Sequence, residues 1–378
     1  MKGLIAFVAL MIAVAVFTVA RGGHELPIYP SFYPHEIEIT TAAPDRAAAL
    51  LVDNKMHAYV GQAPRFAGAA PESIRAVESL GSLLTVRINP ASPHAKEEVA
   101  ACAAVRAVAR AVAASNGDVI LHPYPVTPWH GDYLHHVDLA EAVTASLLEG
   151  TQATPEIKDV KVRATDAAAK RLRRSDSPAP HSEWDVELEE TDVAELVSAT
   201  MAAINGWLEP PGLKAGWLHA YLVLGDAVDA NAKARVEAML QRLRSGGLVE
   251  AVERTNLERA FVAELIGGCR KVVIGYTVKR EYFNAEFSAG IENIAYDSLT
   301  GLNSPMFIRT VKLKDFPWNG WLLLGIDGRP EAAWNPIAGF SDGFGRLMWS
   351  TAGDPALLPE PYGSAWMINR VSDIQARR

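Results

Sequence analysis

The pattern of apolar and polar positions predicts a strand, a helix and a second strand near the start of the chain. Residues 36–40 alternate as a strand does, residues 44–54 place their alanine and leucine side chains on one helical face, and residues 56–61 form the second strand. Three such elements in so short a span make a βαβ unit, whose two strands run parallel. This part of the chain therefore indicates an α/β fold.

Further along, residues 74–88 predict a short helix that is followed by a strand over residues 83–88, and residues 96–114 predict a mostly buried helix. Residues 118–121 then form a short apolar strand that leads directly into a loop rich in histidine. Because ligands of α/β proteins usually bind at the carboxyl ends of strands, this loop is a candidate site.

From Asp192 onward the spacing of apolar residues becomes helical. Four amphipathic helices are predicted, at residues 192–204, 217–228, 232–244 and from Thr255 to Gly267. The first and the fourth of these begin with the pattern of a capping box. Apolar runs typical of strands return at residues 271–278, 307–313 and 321–326.

These elements predict an α/β protein of two domains, and 378 residues are enough for two separate cores. The predicted organisation is a signal peptide or membrane anchor (1–21), an extended arm rich in proline and aromatic residues (22–35), an α/β domain with the histidine-rich loop (36–150), a charged linker (151–191) and a domain of helices and strands with a tryptophan-rich C-terminus (192–378).

The N-terminal segment predicts a location outside the cytoplasm. Residues 3–20 carry no charge, Lys2 precedes them, and as a helix they would rise roughly 27 Å, close to the thickness of a bilayer core. The segment fits a signal peptide cleaved after Thr18-Val19-Ala20, and it also fits an uncleaved anchor with Lys2 in the cytoplasm. Both place the body of the protein in the periplasm or at the extracytoplasmic face of the inner membrane.

The first βαβ unit also carries a family resemblance. The run EIEI, the amphipathic helix and the run NKMHAYVGQAPRF together cover residues 36–66. This stretch resembles the opening of periplasmic solute-binding proteins of the phosphonate-binding kind. The resemblance implies a solute-binding protein in which the turn after the second strand, at Gly61, lies beside the ligand cleft.

Composition and motifs exclude several classes of function. A formal charge of -8 argues against a nucleic-acid partner, since phosphate binding needs clustered Lys and Arg. Cys102 and Cys269 leave one disulfide or two free thiols open, but they are too few for a cysteine-based zinc site. Phosphate-binding, dinucleotide-binding and calcium-binding loop patterns do not occur. Residues 339–343 match Gly-x-Ser-x-Gly, yet no histidine follows His219, so the triad of that hydrolase fold cannot be completed.

The chemically densest stretch is residues 119–142, which contains four of the ten histidines among aromatic and acidic side chains. Prolines in its first half favour an extended, rigid loop. The residues predicted to contact a small ligand are His122, Tyr124, Trp129 and Tyr133. The residues predicted to hold a metal ion are His130, His135, His136, Asp132 and Asp138.

Imidazole and carboxylate are common ligands of zinc and copper, and these are the divalent metals expected at such a site. The spacing of the histidines matches no established metal motif, however, and adjacent histidines in a helix or strand point in different directions. The alternative is a set of polar loop residues that are satisfied by hydrogen bonds.

The leading interpretation is a non-catalytic binding or accessory protein. It would be anchored to the membrane by its N-terminal helix, bind a small ligand or a metal ion through the histidine-rich loop, and pass it to a membrane-protein partner. One alternative is a metal-dependent enzyme in which three histidines hold the ion and Asp132 or Asp138 is the base. Another is a structural subunit of a membrane complex, with the tryptophan-rich C-terminus as its interface.

Overall fold

A computed structural model describes the larger part of the chain. The described residues are 34–115, 118–148, 159–171, 183–203, 211–245, 250–286, 289–315, 320–330, 342–353 and 355–372. The strands are β1 (Glu36–Thr41), β2 (Ala58–Val60), β3 (Ile74–Ile88), β4 (Val119–Leu121), β5 (Val162–Ala164), β6 (Val186–Asp192), β7 (Lys271–Asn284), β8 (Ile291–Asn293), β9 (Lys312–Leu313), β10 (Trp321–Ile326), β11 (Leu357–Pro359) and β12 (Trp366–Ile368).

Most helices pack against the faces of the main sheet or against one another. They are α1 (Pro44–Val52), α2 (Glu98–Ser115), α3 (Val137–Leu148), α4 (Asp166–Ala169), α5 (Val193–Ala203), α6 (Gly216–Leu224), α7 (Ala230–Arg244), α8 (Ala251–Leu265), α9 (Pro305–Thr310) and α10 (Gly343–Ala352). A short 3₁₀ turn at Pro211–Lys214 precedes α6.

Eight strands form one mixed sheet in the order β1-β10-β2-β7-β3-β6-β5, and β4 pairs with β7 beside this path. The long strands β3 and β7 pair antiparallel over most of their length. One edge of β7 pairs with β2 near Phe283 and with β4 near Tyr276. The two long strands therefore run through both halves of the sheet.

The hydrophobic cores follow this division. In the first half, the residues of β1, β2 and β10 pack with α1 and α9. In the second half, one core lies under α2 between the ends of β3, β6 and β7, and a larger one is built from α5 to α8. The predicted α/β class with two groups of elements is confirmed.

The predicted βαβ unit is present as β1, α1 and β2, and the two strands are parallel. They are not neighbours, because β10 lies between them and pairs with both in parallel. Residues near the C-terminus thus complete the sheet that the first strands begin, so the sheet does not follow the predicted boundary at residue 192.

The charged linker predicted over residues 151–191 is partly wrong. Where that stretch is described, it contains β5, α4 and most of β6, and these strands extend the main sheet. The reason is burial, since Val160, Val162, Val186 and Leu188 contribute to the core under α2. Their apolar side chains alternate with the charged residues that suggested a solvated linker.

Two further predictions of secondary structure are wrong. The first part of residues 74–88 is strand and not helix, because it pairs along its whole length with β7. Residues 307–310, part of the strand predicted over 307–313, belong to helix α9, since Pro305 occupies its first turn and the Ser304 hydroxyl accepts a hydrogen bond from Met306 N at 3.1 Å. The predicted strand remains only as β9.

Several predictions fall outside the described residues. These are the apolar segment 3–20, most of the arm over residues 22–35, and the start of the Gly-x-Ser-x-Gly run at residues 339–341. Within the described part of the chain, no helix has both the length and the apolar character needed to cross a membrane.

Candidate functional site

The histidine-rich loop follows β4, as predicted, and ends where α3 begins. Gly131 at its centre lies against the C-terminal segment, and a Cβ added there would be 2.3 Å from the Tyr362 carbonyl oxygen. The loop therefore packs tightly between the helices of the second half and residues near the C-terminus. Only a glycine allows this close approach of two backbone segments.

His130 and His219 form a hydrogen-bonded pair at the centre of this junction. The Thr127 backbone N–H donates to His130 Nδ1 at 2.9 Å, so the proton of that ring is on Nε2. His130 Nε2 then donates to His219 Nδ1 at 3.0 Å, and His219 Nε2 donates to the Leu213 carbonyl at 2.7 Å. Every ring nitrogen of the pair is used.

Burial keeps this pair neutral. Both rings are inaccessible to solvent or nearly so, and loss of hydration lowers the pKa of His130 and of His219 to about 3. Both Nδ1 atoms accept a hydrogen bond and both Nε2 atoms carry a proton, so no ring nitrogen of the pair has a lone pair left for a metal ion. The two side chains instead join the loop to the start of α6.

His136 is fully buried one turn further along the loop. Its Nδ1 is 2.8 Å from the Tyr124 hydroxyl, and its Nε2 has no hydrogen-bond partner among the described residues. Burial lowers the pKa of His136, while the nearby Asp132 carboxylate acts in the opposite direction. His135 is exposed on the surface of the loop.

The two aspartates predicted as metal ligands have other partners. The Asp132 carboxylate accepts hydrogen bonds from the backbone N–H groups of Gly216 at 3.0 Å and Trp217 at 3.3 Å, at the start of α6. Asp138 pairs with Arg259 of α8 through two bonds of 2.7 and 2.6 Å. The hydrogen bonds from Arg259 lower the pKa of Asp138 to about 2.

The residues predicted to hold a metal ion have different partners, and metal binding there stays a prediction. In the ranges that the structure describes, no group of three or more His, Cys, Asp or Glu side chains is arranged to hold a metal ion. The physical reason is that the nitrogens of His130 and the carboxylates of Asp132 and Asp138 are already engaged by neighbouring segments. Sequence proximity placed these residues in one loop, but their side chains point to different partners.

The four residues predicted to contact a ligand lie closer together. His122 is in contact with Tyr124, Tyr133 and Tyr276, with ring centroids 6.4, 5.8 and 5.7 Å away. Its Nε2 is 3.0 Å from the Val126 carbonyl, and burial lowers its pKa. Trp129 packs against the same core. They form an aromatic cluster whose rings pack on one another.

A cavity lies elsewhere in the second half of the molecule, between α2, α7 and α8. Its volume is about 1000 Å³, which is at the upper end of the range for small-molecule sites. Arg87 and Ile88 at the end of β3 and residues 267–270 before β7 also belong to its lining. Its lining includes apolar residues (Ile88, Pro90, Ala101, Val228 and Ala232) and several charged ones. We call it the α2/α7/α8 cavity.

The charged residues of the α2/α7/α8 cavity are mostly paired. Arg87 pairs with Asp226, Arg270 with Asp229 at 2.9 Å, and Arg235 with Glu264 at 2.8 Å. Partial burial acts to raise the pKa of Asp226, but the hydrogen bond from Arg87 and the charges of Lys271 and Arg87 outweigh it, and the pKa is lowered. The lining thus holds guanidinium and carboxylate groups in fixed positions.

A disulfide borders the cavity. Cys102 of α2 is bonded to Cys269, with a Cα–Cα distance of 5.2 Å. Cys269 is itself part of the cavity wall, beside Gly268. The sequence left this bond open, because two cysteines 167 residues apart give no sign of their proximity.

The turn after β2 is the place where the family resemblance implies a ligand cleft, and that implication stays a prediction. Gly61 has a φ of 112°, and a Cβ there would lie 2.3 Å from an Asp327 carboxylate oxygen. Its N–H donates to the buried Glu281 carboxylate at 2.7 Å, and Leu302 N donates to the same carboxylate at 2.6 Å. The turn is tied to β7 by this carboxylate.

The cavity could not have been located from sequence. Its lining comes from three stretches that are far apart, 87–101, 226–235 and 263–270. None of them carries a recognisable motif. The pair Gly267-Gly268 marked only the end of a helix, and the arginines and carboxylates looked like ordinary surface charges of amphipathic helices.

Solved structures with a partly similar architecture are periplasmic binding proteins. They include an ABC transporter-associated periplasmic binding protein, DppA, from Helicobacter pylori in complex with a peptide (10% identity, 73% of this chain, 56% of that chain, TM-score 0.39). NikA from Brucella suis in complex with Fe(III)-EDTA is 11% identical, the match covers 72% of this chain and 60% of that chain, and the TM-score is 0.39. The oligopeptide-binding protein AppA from Bacillus subtilis in complex with a nonapeptide is 12% identical, the match covers 72% of this chain and 58% of that chain, and the TM-score is 0.37.

The present chain spans between 56% and 60% of the length of these three proteins. No protein-family model and no curated protein matches the sequence. The likeness is a partial one of architecture. The phosphonate-binding kind stays a prediction.

Proposed function

We propose that this protein is an extracytoplasmic binding protein that holds a small molecule in the α2/α7/α8 cavity. The observation that carries the proposal is the cavity itself, a space of about 1000 Å³. Small-molecule sites combine an apolar lining with a few fixed polar groups that orient the ligand. The apolar residues and the paired charges of its lining fit that description.

The location outside the cytoplasm is supported by two features. The uncharged segment 3–20 has the character of an export signal or an anchor. The disulfide between Cys102 and Cys269 is a bond that persists in oxidising compartments. In the proposal, residues 3–20 also attach the protein to the membrane, where a membrane-protein partner takes over the bound molecule.

The histidine-rich loop has a supporting role in this proposal. Its buried pair His130–His219 and the hydrogen bonds that Asp132 accepts from the start of α6 fix α6 within the larger core. That core in turn contains the apolar side chains of α7 and α8, whose outer surfaces form two walls of the cavity. The loop thus stabilises the helices around the site.

The test uses two matched alanines on α8. Ala263 lines the cavity and is exposed at its mouth, whereas Ala260 is exposed on the same helix and is not part of the lining. Ala263→Trp is expected to fill the mouth of the cavity without disturbing the core, and Ala260→Trp is the control. The free energy of unfolding of both variants should lie within about 0.5 kcal/mol of the wild-type value.

The measurement is retention of small molecules. Each protein is incubated with a periplasmic metabolite extract and passed over a desalting column, and the retained compounds are identified by mass spectrometry. Wild type and Ala260→Trp are expected to retain the same compound, and Ala263→Trp is expected to lose it. The proposal fails if the wild type retains no compound that Ala263→Trp does not retain equally.

A further inference from the structure

The charges that line the α2/α7/α8 cavity are unequal in number. Three guanidinium groups and four carboxylates belong to the lining. Arg87, Arg235 and Arg270 each face a carboxylate within ion-pair distance, and those carboxylates are Asp226, Glu264 and Asp229. Arg87 and Lys271 also share Glu189. Every guanidinium of the wall is thus already neutralised by a neighbour.

Glu98 is the carboxylate that remains. It lies in the first turn of α2, close to Gly268 in the turn before β7, and its exposed side chain belongs to the lining of the cavity. Among the described residues it has no ion-pair or hydrogen-bond partner for its carboxylate. A bound molecule would therefore meet one uncompensated charge in this cavity, and that charge is negative.

We propose, on the basis of the proposed function, that the cavity binds a cationic molecule whose ammonium group donates to the Glu98 carboxylate. An anion would meet guanidinium groups whose charge Asp226, Asp229 or Glu264 already balances, and it would be repelled by Glu98, whereas an ammonium group would meet the unbalanced charge of Glu98. The ammonium is hydrogen-bonding and unmethylated, because the described residues that line the cavity include no aromatic side chain to form a cage for a quaternary amine.

The body of the molecule would lie on the apolar side chains of Ile88, Pro90 and Val228. Spare N–H groups of Arg270, whose one ion pair is made through Nη2, can donate to an uncharged oxygen of the same molecule. The net charge of the chain, -8, also attracts cations over the whole surface. The inferred class is an amine with an aliphatic body.

The experiment compares putrescine, butanediol and succinate, a diamine, a diol and a diacid of the same chain length. Binding to the full-length protein is measured by isothermal titration calorimetry at low ionic strength and neutral pH. Putrescine is expected to bind roughly tenfold or more tightly than either of the others, which is the size of effect that one charge-assisted hydrogen bond gives.

The matched variants are Glu98→Gln and Glu97→Gln. Glu97 is the preceding residue, is exposed and is not part of the lining. Glu98→Gln should weaken putrescine binding roughly tenfold or more, and Glu97→Gln should leave it unchanged. Succinate or butanediol binding as tightly as putrescine would overturn the inference, and so would equal effects of the two variants.

Failure of this inference can be told apart from failure of the proposed function. If none of the three probes binds, the cationic class is wrong for this cavity. The proposed function still stands in that case when the wild type retains an extract compound that Ala263→Trp loses. If the retained compound is an anion, the cavity is a binding site and the charge argument from Glu98 is overturned.

Discussion

His130 and His219 are buried as a neutral pair, and this has a consequence for stability in acid. Below a pH of about 6.5 the unfolded chain binds protons that the folded protein excludes until about pH 3. The free energy of unfolding should then fall by about 1.4 kcal/mol per pH unit for each of the two histidines. This stability is fully present above pH 6.5 and is lost as the pH falls toward 3.

Urea unfolding at a series of pH values between neutral and mildly acidic conditions measures this slope. The variant His130→Gln/His219→Gln should show a slope that is smaller by about 2.7 kcal/mol per pH unit, and His135→Gln, which removes an exposed imidazole, serves as the control. If the double variant does not fold, NMR of the ring nitrogens in the wild type decides the matter. Protonation of either ring near pH 6 would contradict the prediction.

At the scale of single residues, the sequence indicated which side chains lie in the loop but not which hydrogen-bond partners they have. It placed the histidines of the loop in one neighbourhood, after a strand, and that was correct. It could not indicate that His130 bonds to His219, because the partner is 89 residues away. The same holds for Asp132, whose carboxylate is used at the start of α6.

The 3₁₀ turn before α6 is held to the C-terminal part of the chain by a buried ion pair. Lys214 Nζ is 2.5 Å from Asp297 Oδ2, it also donates to the Glu360 carbonyl, and both side chains are almost inaccessible. Lys214→Met would leave the Asp297 carboxylate buried without its cation. We expect a loss of about 3–5 kcal/mol in the free energy of unfolding, measured by urea denaturation.

The control for this prediction is the exposed pair Arg242–Glu253. Arg242→Met should cost no more than about 1 kcal/mol, since exposed ion pairs contribute little. A second variant, Lys214→Met/Asp297→Asn, should regain a large part of the loss, because the asparagine still accepts from Leu299 N and Thr300 N without a buried charge. A loss for Lys214→Met as small as that for Arg242→Met would refute the assignment.

Elements with a strong local pattern were predicted well, and those decided by distant pairing were not. Helices α2, α5, α7 and α8 have clear apolar stripes and lie close to their predicted bounds. In β3, by contrast, Ile74, Val77 and Leu80 recur at a helical spacing and yet lie in a strand, because β7 provides a partner along the entire segment. Such pairing is invisible to a reading of local periodicity.

On the scale of the whole molecule, the disulfide joins α2 to the start of β7 across 167 residues. In the loop-closure model, a crosslink over so long a stretch stabilises the folded state by about 5 kcal/mol through the unfolded chain. Replacing both cysteines, as Cys102→Ala/Cys269→Ala, should therefore lower the free energy of unfolding by about 2–5 kcal/mol while leaving the circular dichroism of the native state unchanged.

Reductant provides the matched comparison. A dithiol reductant should lower the urea midpoint of the wild type to that of the double alanine variant, and it should not change the midpoint of the variant. Because Cys269 is part of the cavity wall, reduction should also weaken the retention of compounds by the wild type. A wild type whose urea midpoint is the same with and without reductant would show that the crosslink does not stabilise the fold.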